Sequence, residues 1–115
     1  MSSTYRPPRP EHPANPDFAQ MLAPVRAAFI ASLPEHIEAF ENYCNLEARA
    51  ERLEVADALT RRAHRIFGVA ETLSFPALGR TALKLEVEMS NDETGSDLSH
   101  LAGQLVSEMY RALHS

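Results

Sequence analysis

Apolar residues recur at intervals of three and four along most of the chain. That is the period of an amphipathic helix rather than the alternation of a strand. Asp17 to Ile30 carries Phe18, Met21, Leu22, Val25, Phe29 and Ile30 in this register. Ser32-Leu33-Pro34-Glu35 then reads as a helix start, with Ser32 able to cap and Glu35 three residues on. The helix it opens repeats Leu33, Ile37, Phe40 and Cys44, and Asn42 and Asn45 mark its end. A third pattern from about Glu51 to Leu73 has the stripe Val55, Ala56, Leu59, Ala63, Ile66, Ala70 and Leu73. Pro76 is placed to begin the next helix, with Leu78, Ala82, Leu85 and Met89 on its apolar side. The polar turn Ser90 to Ser96 precedes a last helix on Leu98, Leu101, Ala102, Leu105, Met109 and Leu113, capped by Ser96 or Asp97. The expectation is an all-α fold: an up-down-up-down antiparallel four-helix bundle with a short leading N-terminal helix.

Composition narrows the picture. The first fifteen residues hold Pro7, Pro8, Pro10 and Pro13 and little to bury, so 1–15 reads as a flexible tail and 16–115 as the bundle. A chain of 115 residues has room for one small domain, which excludes an enzyme with separate cofactor and substrate domains. Hydrophobic residues at 44% support a real core. A net charge of -5 argues against nucleic-acid binding, which needs excess positive charge. Cys44 is the single cysteine, so burial alone must hold the fold. That, with no signal-like segment and no apolar run near the roughly 20 residues of a membrane helix, leads to the expectation of a cytoplasmic monomer off the membrane.

One residue departs from the apolar pattern of its helix. With Leu59 at zero on a wheel of about 100° per residue, His64 falls near 140°, well off the core stripe. Its neighbours there are Asp57, Thr60, Arg61, Gly68 and Glu71, with Phe67 on the shoulder. Gly68 lies one turn on. A mid-helix glycine costs about 1 kcal/mol relative to alanine, and clearance around the His64 ring is a physical reason to bear it. Other groupings are bland: His36, His100, His114 and Cys44 lack zinc-finger spacing, and Glu86 and Glu88 have no defined partner.

The stretch Arg62 to Leu78 resembles histidine-containing phosphotransfer domains, whose motif runs A-H-x-L-K-G-x-A-x-x-L-G. Ala63-His64, Ile66, Gly68, Ala70, Leu73 and Leu78 match, as does the later pair Leu85-Glu86. Leu33-Pro34-Glu35 is similar to the start of the family's second helix, and the likeness spans about Phe18 to Leu113. Two positions depart: Phe67 stands where the family has lysine, and Ser74 where it often has glycine.

The resemblance implies a phosphorelay carrier. His64 would take a phosphoryl group from a receiver-domain aspartate and pass it to another receiver's aspartate. Histidine suits the task because the side chain ordinarily titrates near 6.5, leaving neutral imidazole abundant in the cytosol. The resemblance implies no cofactor of the carrier's own, with Mg²⁺ on the partner receiver. Arg61 would support the phosphoryl oxygens, with Arg65, Thr60 and Gly68 around the site and Phe67 and Glu71 in partner docking. A bundle that binds receivers without transferring is the alternative, motivated by Phe67.

Overall fold

The computed structural model describes residues 16–115. The proline-rich segment 1–15 lies outside the described residues. Four helices follow in order: α1 (Pro16–Cys44), α2 (Arg49–Thr72), α3 (Pro76–Ser90) and α4 (Ser99–Leu113). The described residues contain no strand. Each helix packs against two others, α2 between α1 and α3, and α4 between α3 and α1.

The expected break between a leading helix and a second helix at Ser32 does not occur. α1 runs unbroken through both Pro24 and Pro34. Proline inside a helix removes one hydrogen bond and crowds the preceding turn. Burial outweighs that here, because Phe29, Leu33, Ile37 and Phe40 share one face and all enter the core. Ser32 is not a cap either: its hydroxyl donates to the Phe29 carbonyl at 2.7 Å, inside the helix. Ahead of Phe29, Leu22 is only half-buried at the edge of the core. Met21 and Val25 are exposed.

Most of the remaining apolar pattern lands where its period put it, with Leu98, Leu101 and Leu113 half-buried at the margin. Leu59, Ala63, Ile66, Ala70 and Leu73 from α2 and its end meet Leu78, Ala82, Leu85 and Met89 from α3. Ala102, Leu105, Val106, Met109 and Ala112 of α4 complete the core. Val55 and Ala56 sit at its margin, half-buried.

The connections are specified by particular residues. After Leu73 the chain turns through Ser74 at φ 62°, a left-handed conformation that favours glycine. Phe75 N–H then donates to the Ala70 carbonyl at 2.9 Å and Ser74 N–H to the Glu71 carbonyl at 3.4 Å, the bond pair of a Schellman ending. The sequence departure at Ser74 therefore falls on the backbone position where glycine is cheapest. At the opposite end, Asp97 accepts from the Ser99 N–H at 2.9 Å at the entrance of α4. The Ser99 side chain, and then this backbone bond, hold the Asp97 carboxyl below its usual range.

A clamp that the periodicity did not announce ties these loops together. Arg52 is buried and has no carboxylate partner among the described residues; it donates to Gly95 O (2.7 Å), Glu47 O (3.1 Å) and Leu46 O (3.3 Å). Tyr43 Oη donates to Ser96 O at 3.2 Å and accepts from Leu98 N–H at 3.1 Å. Gly95 has φ +74°, and a Cβ there would lie 2.5 Å from the Arg49 carbonyl oxygen. Only glycine fits that approach.

Candidate functional site

His64 stands in the middle of α2, held in place by the core residues Ala63 before it and Ile66 after it. Its side chain is 70% exposed. Its Nδ1 lies 2.9 Å from Oε2 of Glu86 on α3. Glu86 is the residue after Leu85, which is fully buried, so α3 is rotated to aim the carboxylate along the α2–α3 seam. The Glu86 side chain is only 21% exposed, and its Oε1 is buried without a hydrogen-bond partner among the described residues.

The chemistry of this contact is directional. A carboxylate accepts, so it selects the imidazole tautomer that carries its proton on Nδ1. The lone pair then resides on Nε2, the ring nitrogen that Glu86 does not engage. An exposed ring held in this tautomer can act as a nucleophile toward an external electrophile.

The surroundings leave room for one. His64, Thr60, Arg61, Arg65 and Glu86 line a shallow hollow. Gly68 is exposed, and a Cβ built on it would meet nothing within 4 Å. Arg61 and Arg65 are exposed, and among the described residues neither makes a hydrogen bond or ion pair. Thr60 is half-buried at the edge.

Two residues lie away from the hollow. Phe67 is half-buried and packs against the core. Glu71 reaches over α3, where its Oε2 would be 2.9 Å from a Cβ at Gly79. The residue that spacing alone missed is Glu86. The Leu85-Glu86 pair was visible, but nothing local to α3 says that its carboxylate meets a ring 22 residues earlier.

On the other flank of α2 sits a second histidine. His36 of α1 is buried, and Arg62 donates to its Nδ1 at 2.9 Å while lying 3.5 Å from Glu35. Burial, reinforced by Arg62 and then Arg65, pushes the His36 pKa below its ordinary value. The other residues weighed as zinc ligands are occupied separately. The Cys44 thiol donates to the Ser99 carbonyl at 3.7 Å, His100 lies against Gln104, and His114 stacks on Tyr110. Among the described residues no three metal-ligating side chains converge.

A family model of the Hpt domain matches residues 24–115, which covers all the helices but the first turns of α1. The chain belongs to the Hpt domain family. Members of that family serve histidine phosphotransfer in phosphorelays and typically interact with receiver domains. No curated protein and no solved structure shows a significant match to it. No helix among the described residues is long and apolar enough to cross a membrane.

Proposed function

We propose that this protein is a phosphorelay carrier that accepts a phosphoryl group on His64 from a receiver-domain aspartate and hands it to the aspartate of another receiver. The observation that carries the reading is the exposed His64 ring with Nδ1 on Glu86. In the accepting step the Nε2 lone pair forms a bond to phosphorus. The bond between phosphorus and the aspartyl oxygen breaks, and its electron pair leaves on the carboxylate. The Nδ1 proton stays between ring and Glu86, and the carboxylate offsets the positive charge the ring acquires. The donating step is the reverse toward a second aspartate. Both partners bring the electrophile or acceptor, and the divalent ion of the reaction is expected to come with the receiver.

The architecture supports this as a rigid platform. Residue pairings favour the up-down-up-down antiparallel order. His64 meets Glu86 and Glu71 meets Gly79, so α2 and α3 run in opposite senses. Tyr43 at the end of α1 meets Leu98 at the start of α4. We take the working form to be a cytoplasmic monomer, because one exposed histidine on one bundle suffices for the chemistry.

Phe67 favours a second reading, a receiver-binding adaptor that does not transfer. An apolar ring stands where relatives by motif carry an ammonium, and phenylalanine neither donates nor carries charge. Incubation with a phosphorylated receiver separates the two. Acid-labile label on this protein, absent from His64→Gln, supports the carrier. Measurable receiver binding with no label supports the adaptor.

A further inference from the structure

We infer that Arg61 and Arg65 form the phosphoryl-binding wall of the His64 site, on the side of the ring that faces away from α3. This rests on the reading of His64 as the phosphorylated residue. With His64 at zero, Arg61 lies about 60° and Arg65 about 100° round the helix on one side; Phe67 lies about 60° on the other. The contacts identify the two sides. Glu86 approaches His64 from α3, and Glu71, which shares the Phe67 side, reaches Gly79 of α3. Arg62, beyond Arg65, meets His36 of α1.

Charge then dictates where a phosphoryl group sits. Glu86 places a carboxylate on the α3 side of the ring, 2.9 Å from Nδ1. A phosphoryl group on Nε2 carries about two negative charges near neutral pH, so its oxygens are repelled from that side. Round the helix from that side stand two guanidinium groups, Arg61 and Arg65, four residues apart on one helix face, and they line one hollow with His64, Thr60 and Glu86. Neither is engaged by another described residue, whereas Arg52, Arg62 and Arg111 all are. A guanidinium fork matches phosphoryl oxygens in geometry as well as charge. Phe67 is half-buried against the core and supplies no cation, so the positive charge of this site comes from the turns before and beside His64.

The test uses potassium phosphoramidate, a small donor that needs no receiver and so separates chemistry from docking. Nε2 attacks phosphorus, the donor P–N bond breaks, and its electron pair leaves on ammonia. Phosphorus NMR follows the phosphohistidine formed and its lifetime, and thermal melting checks the fold. Wild type is expected to acquire one phosphohistidine and His64→Gln none. In Arg61→Ala/Arg65→Ala, formation slows or lifetime shortens by about tenfold with an unchanged melting temperature. Arg61→Lys/Arg65→Lys recovers most of the loss, because charge is retained. Wild-type formation and lifetime in the double alanine variant would overturn the arginine wall and leave His64 as carrier. Wild type no better labelled than His64→Gln would overturn the carrier reading itself.

Discussion

Two histidines flank the same helix and are opposites in every property that matters for chemistry. His64 lies on α2 with its side chain 70% exposed, and its partner is a carboxylate. His36 lies against α2 at 6% exposure, and its partner is a guanidinium. The sign of the partner decides which lone pair survives. Glu86 accepts the hydrogen bond from Nδ1–H and leaves Nε2 available outside. Arg62 donates into the Nδ1 lone pair of His36, a ring buried against α2. Two rings of one composition thus become a candidate nucleophile and a packing element.

The largest expected effect breaks this contrast outright. His64→Gln abolishes acid-labile phosphorylation by a phosphorylated receiver, whereas His36→Gln leaves His64 labelling within about twofold, because it acts on stability rather than on the reacting ring. Label persisting in His64→Gln would move the site elsewhere. Next in size is Glu86→Ala, which frees the His64 ring and its tautomer and slows labelling by about 10- to 100-fold, the usual cost of losing an orienting partner. Glu86→Gln still offers an amide oxygen to Nδ1 and loses less; single-turnover labelling compares the two.

Gly68→Leu sharpens the account of exposure. The position is open, so the variant stays folded and gains about 1 kcal/mol of helix stability in a denaturant melt. Transfer from a receiver falls about tenfold or more by steric exclusion of the bulkier partner, while labelling by phosphoramidate persists. Unfolding of this variant would show that the Gly68 face is packed.

The pH dependence tests His36. Its pKa is depressed in the fold, so between that value and about 6.5 the unfolded chain binds more protons than the folded one. Stability from this group is therefore present above about pH 6.5 and is lost as the pH falls through that window. Melting temperatures from pH 7.5 to 5.5 should drop more in wild type than in His36→Gln. Equal slopes would mean that His36 titrates alike in both states. The smallest effect lies away from both histidines: Ser74→Gly relieves a left-handed serine and stabilises by about 1 kcal/mol.

Much of this was legible in the chain. Ala63, Ile66, Ala70 and Leu73 recur at helical spacing, and that recurrence by itself places His64 off the core stripe. The Ser74 and Phe67 departures were visible as well, and Ser74 proves to occupy a left-handed turn. Where the reading failed, it failed at Ser32 and Pro34. A cap signature and a proline are local signals for a helix start, and the burial of Leu33 and Ile37 on the same face as Phe29 overrode them. Arg52 was illegible for a related reason: a buried arginine satisfied by three carbonyls leaves no pattern on its own helix.

What the sequence determined by itself is what one helix can determine: the apolar face, the outward histidine and the glycine one turn beyond it. These follow from a fixed rotation per residue. Only the tertiary structure decided that Glu86, on the next helix, would hold Nδ1, and that Arg62 would silence His36. Those partners are brought together by the packing of α1, α2 and α3, and the angle and depth of that packing come from the shapes of many core side chains at once. A helical period places a side chain on a face; it takes a second helix to say what that face meets.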